Sequence, residues 1–293
     1  MNSFVQYEAA ISLNSKRFTL PGHSEYNIIM SLGRNYLELA ICNLQYNSVL
    51  GMQYYYTGSK VMGKKQAVAI FTSELVQGAQ KLTIAVDSPK STLIPESLLD
   101  TKQTAKVLAS QHIIDENELV FTDKIESFYN LYTLKSGTKK LIEERLPSAK
   151  IINSTKGLLS VYPILATAKN QIFIFCRDDY IYLSSYVDSK LQLHQYHSIS
   201  AAEDAVYHTL NLIQTNSFKL QETVVMLHGE SLLTKQIHDQ LDKQEVDTRY
   251  ISRLRLSGLQ FSEQILELPT HQFFNLFSLV SCESLAEASA VDA

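Results

Sequence analysis

The chain has 293 residues, of which 45% are hydrophobic and 19% charged, enough to bury one large core or two ordinary ones. Its 26 Lys and Arg against 30 Asp and Glu leave a net charge of −4, so no global basic field draws in nucleic acid or an anionic membrane surface. Gln6, Tyr7 and Glu8 stand where a signal peptide needs an apolar run, and no stretch reaches bilayer-spanning length; a cytoplasmic location without membrane insertion is expected.

Residues 4–11 carry the pattern of an edge strand, and Pro21 and Gly22 close a polar loop. The regular part begins at Asn27. Three strand patterns, 27–32, 36–42 and 49–56, are separated by turn chemistry at Gly33, Arg34 and Asn35 and again at 45–47, which predicts a meander. Apolar residues at helical spacing within 66–80 predict an amphipathic helix, followed by a buried strand over 82–86 that ends at Asp87, Ser88 and Pro89. Residues 91–99 read as extended up to Pro95, because the residue before a proline is pushed out of the helical region. A helix near 101–110, a strand pair over 118–124 and 128–134, and a helix over 136–145 follow. Ser154 or Thr155 caps a further helix running towards Ala168, in which Pro163 interrupts the hydrogen bonding.

The second half repeats these signals. Strands over 171–175, 180–186 and 191–197 form another meander, with turns at Arg177, Asp178 and Asp179 and at 188–190. A helix over 201–214, a buried strand over 223–227 ending in His228 and Gly229, a helix over 231–243 and a short strand over 248–251 complete the unit. Thr270 is expected to cap an apolar helix over 270–281, and the small, polar residues 283–293 read as a loose tail. The expected division is therefore a first lobe at 1–168 with an inserted strand pair, a second lobe at 169–282 and a flexible tail. Cys42, Cys176 and Cys282 are odd in number, far apart and in apolar surroundings, which fits buried thiols better than disulfides or a metal site.

Laying residues 27–43 over 171–187 puts Tyr36 on Tyr180, Leu37 on Ile181 and Leu39 on Leu183, and the buried strands fall into nearly the same alignment. Each half then reads strand, strand, strand, helix, strand, helix, the mark of an internal duplication. In this order the chain resembles the actin-like ATPases, an α/β fold of ribonuclease H-like type with two lobes and a cleft between them. The meander, the LIPESLL stretch and the NLYTL strand are similar to an uncharacterised bacterial family, found in Bacteroidetes, with this fold and no assigned activity. More distantly the chain resembles the actin-like protein of type IV pilus assembly, a cytoplasmic scaffold.

The resemblance implies phosphate-binding turns, one in each half, with an Asp followed two residues later by Gly, and an adenosine site near a Gly-rich turn after the later buried strand. Small residues there let backbone N–H groups approach phosphate oxygens, while carboxylates place a metal ion and its water. Here the first turn keeps Gly33 but has Ser31 in place of the acid, and the second has Phe175 and Arg177 at the Asp and Gly positions. Asp178 and Asp179 are adjacent acids that also suit an ordinary hairpin tip, and Gly229 suits either an adenosine or a tight strand-to-helix turn. Residues 154–157, Ser-Thr-Lys-Gly at a helix start, suit an anion or simple capping but lack P-loop spacing. His194 and His197 fall on opposite faces of a strand, wrong for chelation, and no metal site or catalytic motif is expected. The Tyr54, Tyr55 and Tyr56 run suits an interface. The sequence therefore predicts a non-enzymatic actin-like scaffold or binding module without a cofactor, acting through a protein partner or as a homodimer. The alternative is a divergent ATP-binding protein or ATPase that uses ATP with Mg²⁺.

Overall fold

The computed structural model describes residues 9–14, 26–58, 60–229, 232–256 and 258–291, with side chains as far as Leu285. Most of the strand expected over 4–11 lies outside the described residues, but β1 (Ile11–Asn14) does pair, antiparallel, with β4. The expected meander is β2 (Asn27–Leu32), β3 (Tyr36–Asn43) and β4 (Ser48–Tyr56). β2 and β3 are buried almost throughout, as their near-continuous apolar runs require of strands covered on both faces.

The helix expected over 66–80 is two, α1 (Lys64–Phe71) and α2 (Glu74–Gln77), because Ser73 leaves helical geometry and its side chain accepts from the Val76 N–H. β5 (Leu82–Val86) lies parallel to β2. A separate antiparallel sheet follows, built from β6 (Ser91–Pro95), β7 (Glu118–Ile125) and β8 (Phe128–Lys135), with β8 central and the short α3 (Thr104–Ala109) between β6 and β7. α4 (Ser136–Arg145) leads to β9 (Lys150–Asn153), a four-residue strand parallel to β5 that the sequence pattern did not reveal. α5 (Thr155–Leu165) then crosses to the second lobe.

That lobe contains β10 (Asn170–Cys176), β11 (Tyr180–Val187), β12 (Lys190–Ser198), α6 (Ala202–Thr215), β13 (Thr223–Gly229), α7 (Leu233–Asp242) and β14 (Asp247–Tyr250). Its sheet order, β12-β11-β10-β13-β14, has the same strand senses as β4-β3-β2-β5-β9. The likeness extends to an irregularity. The β3–β4 ladder shifts register between Ile41 and Cys42, and the β11–β12 ladder shifts between Ser185 and Tyr186, the residues that the alignment of the halves pairs with them.

Beyond β14 the chain returns to the first lobe. β15 (Gln260–Phe261) pairs parallel with β4 at Ser48 and Val49, on the edge that β1 takes up over 51–54. After α8 (Glu263–Leu266), α9 (Phe274–Val291) packs on α5, β2 and β3. Thr270 is not its cap, and the segment expected as a loose tail is helical to Val291. The extension is tied down by Glu283, whose carboxylate lies 2.8 Å from Lys150 Nζ. Gly157 permits the close α5–α9 crossing, since a Cβ there would lie 2.6 Å from the Leu279 backbone nitrogen. One apolar cluster joins the lobes through this region, with Ile29 and Met52 of the first sheet, Phe173 and Tyr182 of the second, and Phe274 and Phe277 of α9. Separate clusters fill the outer face of each sheet. None of Cys42, Cys176 and Cys282 forms a disulfide, and the first two are buried.

Candidate functional site

The β2–β3 and β10–β11 hairpins turn in the same way. Gly33 N–H donates to the Tyr36 carbonyl at 3.1 Å, and Arg177 N–H donates to the Tyr180 carbonyl at 2.9 Å. One tip comes from each lobe, and they face each other across the inter-lobe seam. Gly33 has a local reason to be glycine, because a Cβ would lie 2.0 Å from the Tyr36 ring. Ser31 is fully buried opposite Glu38 in the β2–β3 register, with no hydrogen-bond partner for its hydroxyl.

Arg177 reaches from the second lobe into the first. Its Nη1 lies 2.7 Å from Glu38 Oε1, and its guanidinium carbon stands 3.8 Å from the centre of the Tyr36 ring and 4.9 Å from that of Phe175. Both ionic side chains are buried, at 6% and 0% exposure, so the ion pair and the aromatic faces replace the solvent that each charge has lost.

Asp87, at the end of β5, is the second point of closure. Its carboxylate accepts hydrogen bonds from the hydroxyls of Tyr36, Tyr180 and Ser154. Tyr36 and Tyr180 are the residues that the alignment of the halves superposes, and they converge on one oxygen, Oδ2. Ser154 adjoins the first turn of α5, so the chain's own carboxylate occupies the electropositive end of that helix. Tyr182 adds a further inter-lobe bond, donating to the Ser88 carbonyl at 3.0 Å. Burial pushes the hydroxyls of Tyr36, Tyr180 and Tyr182 well above the ordinary tyrosine range; the Asp87 charge pushes the same way, and Arg177 partly opposes it at Tyr36 and Tyr180. All three remain donors at neutral pH.

The rim carries the two acids singled out in the sequence. Asp178 accepts from the Tyr56 hydroxyl across the seam, and that hydrogen bond, with burial and the nearby charge, pushes Tyr56 up to about 12. Asp179 Oδ2 lies 3.6 Å from Arg34 in an exposed pair. Of the tyrosine run, Tyr56 meets Asp178 across the seam, Tyr54 packs edge-on against Phe273 at 5.3 Å, and Tyr55 turns into the first-lobe core.

Gly229 closes β13 opposite Cys176, the residue before Arg177. Its φ of 135° and the 2.0 Å that would separate a Cβ from the Cys176 carbonyl oxygen both demand glycine without reference to a ligand. Beside it His228 is fully buried, with Nε2 2.5 Å from the Tyr162 hydroxyl and its ring stacked 5.0 Å from that of Phe175. Burial, helped by Arg177, holds it well below the usual histidine range. Glu230 and Ser231 lie outside the described residues.

The structure therefore gathers Ser31, Gly33, Asp178 and Asp179 along one seam, with Gly229 beside it in register with Cys176, one residue from Arg177. Sequence reasoning missed Glu38, Asp87, Tyr36 and Tyr180. Glu38 had a signal, a lone charge inside an apolar strand run; the partner 139 positions away had none. Among the described residues no three His, Cys, Asp or Glu side chains are grouped to hold a metal ion, and no helix is long and apolar enough to cross a membrane.

A family model described as "Protein of unknown function (DUF3822)" matches residues 15–244. No curated protein matches the chain in sequence. Among solved structures, a Bacteroides thetaiotaomicron protein described as having an actin-like ATPase fold and unknown function superposes with a TM-score of 0.74 at 15% identity, covering 88% of this chain and 96% of that one. A chain from the PilM-PilN type IV pilus biogenesis complex superposes with a TM-score of 0.58 at 12% identity, covering 90% of this chain and 99% of that one. These likenesses establish the actin-like ATPase fold.

Proposed function

The chain belongs to the DUF3822 family, and from that premise we propose that it is a non-enzymatic actin-like scaffold whose lobes are held together by its own side chains instead of by a nucleotide. The observation that carries this reading is Arg177, which stands at the aligned position of Gly33 and spans the seam to Glu38 and Tyr36. A phosphate-binding turn needs small residues whose backbone N–H groups face open space. Here that space holds a guanidinium, and the carboxylates that would place Mg²⁺ are engaged by Tyr56 and Arg34. The shared sheet order and register shift support descent of both halves from one duplicated unit.

With the cleft closed from within, the outer surfaces are left for function, and a protein partner fits that arrangement. The PilM-PilN complex is an instance of this fold in a protein assembly, which supports the same reading. Calorimetric titration with ATP and Mg²⁺ tests it: no saturable binding below the millimolar range and no phosphate release are expected. Micromolar binding that disappears when Asp178 and Asp179 are both changed to Ala would overturn it in favour of a divergent ATP-binding protein.

A further inference from the structure

The two halves of the chain differ at one strand edge. Tyr36 and Tyr180 face Tyr56 and Ser198, and Ile41 and Ser185 face Gly51 and Leu193, so residues 51–54 of β4 correspond to residues 193–196 of β12. In the first lobe β1 pairs antiparallel with 51–54. In the second, no strand among the described residues pairs with the outer edge of β12.

The polarity of that edge follows from one bond. Ile199 N–H donates to the Asp179 carbonyl at 3.0 Å. Residues bonded to one neighbour alternate along an antiparallel ladder with residues that point away, so Ser198, Tyr196 and His194 turn their N–H and C=O groups outward. The same alternation, set by Thr57 N–H on the Asn35 carbonyl, turns Tyr54 and Met52 outward in the first lobe, and these face Ile11 and Leu13 of β1. Ile11 and Leu13 also pack on the apolar cluster that joins the lobes, as do Tyr196 and Leu191 of β12. Where β12 begins, its edge meets a cavity of about 420 Å³ walled by Leu93 and Phe128 of the insert, Leu159 and Pro163 of α5, and Leu191.

We propose that the outer edge of β12 takes an extended segment of a protein partner as an added antiparallel strand. That segment carries aliphatic side chains at alternate positions, as β1 does, and a bulky apolar side chain that enters the cavity. Main-chain bonds give such a strand its affinity, and pockets for its side chains give specificity. Running antiparallel, it passes Tyr196 and then His194 before it reaches the cavity. A second copy of β12 does not supply these groups: His194 and Ser198 flank Tyr196 at the alternate positions, so a polar side chain enters in any register. The inference rests on the scaffold reading and names the kind of partner.

Three acetylated, amidated peptides probe the edge on the full chain by calorimetry: KTITLTFK, KTITLTAK, and KTITLTFK with its leucine N-methylated. Saturable binding of KTITLTFK is expected. The methylated form should be about tenfold weaker, for the loss of roughly one hydrogen bond, and KTITLTAK at least about tenfold weaker, for the loss of a buried ring. Leu93→Trp should fill the cavity and bring KTITLTFK down to the affinity of KTITLTAK; Gln192→Trp, exposed on the same cavity, is a second filling variant should the first fold poorly. KTITLTFK should also slow amide exchange at His194 and Tyr196 and leave His197, already bonded to β11, unchanged. No saturable binding, equal affinity for the methylated peptide, or protection confined to other strands would overturn the proposal. So would slowed exchange at these amides on concentrating the protein alone, which would assign the edge to a second copy. Failure here with ATP still unbound would remove the docking edge alone, whereas micromolar ATP binding would remove the scaffold reading whatever the peptides do.

Discussion

Arg177 of the second lobe and Glu38 of the first are buried 2.7 Å apart, joining the two halves of the chain by an ion pair with little access to water. Deleting one partner leaves the other charge stranded in an apolar seam. Arg177→Met should therefore lower stability by about 3–5 kcal/mol, whereas Arg177→Met with Glu38→Leu should recover most of that loss. Urea denaturation of the two single variants and the double variant measures both effects, and additive losses would refute the coupling.

Tyr36 and Tyr180 share one acceptor oxygen of Asp87, so either hydroxyl can be lost while the other still serves it. Tyr36→Phe and Tyr180→Phe should each cost about 1.5–3 kcal/mol, the range for hydrogen bonds to a charged group. The double variant should cost more than the sum, because Oδ2 then keeps neither donor. A double-mutant cycle reads the sign of this coupling directly.

Gly33→Ala separates a phosphate role from a packing role. The added methyl would overlap the Tyr36 ring, for a cost of about 1–3 kcal/mol as in other overpacked sites. Replacing Tyr36 by Leu in the same chain should remove most of the extra cost of the methyl, measured as the difference in thermal midpoint between the paired variants. A residue kept for phosphate contact would show no such rescue.

Stability should fall on mild acidification. Burial holds His228 well below its usual range and lowers His194 to about 4. Both are neutral in the folded state and take up protons on unfolding, so their contribution is complete above the unfolded value of about 6.5 and is lost as pH falls below it. Each removes up to about 1.4 kcal/mol per pH unit on the way down. Denaturation midpoints between pH 7 and pH 5 should show this slope, and His194→Asn should flatten it.

Much of the fold was legible because its strands are local signals: the two meanders, β5 and β13, and the β7–β8 pair are continuous or alternating apolar runs bounded by turn residues. β9 and β15 escaped, being too short to carry a period and held as strands only by β5 and β4. The end of α9 escaped for a related reason. Its small, polar composition reads as a tail, and only the first-lobe surface beneath it, with Lys150 facing Glu283, makes a helix of it.

By itself the sequence determined that two similar strand ribbons exist and that their tips lack the acid-and-glycine pairs of a phosphate site, since turn chemistry and residue identity are local. Tertiary structure alone decided what replaced them. Ser31 and Gly33 could be read in place, but the pairing of Arg177 with Glu38 and the convergence of Tyr36 and Tyr180 on Asp87 join residues from different lobes. A buried charge reveals only that it needs a partner; which residue answers depends on how the two sheets meet.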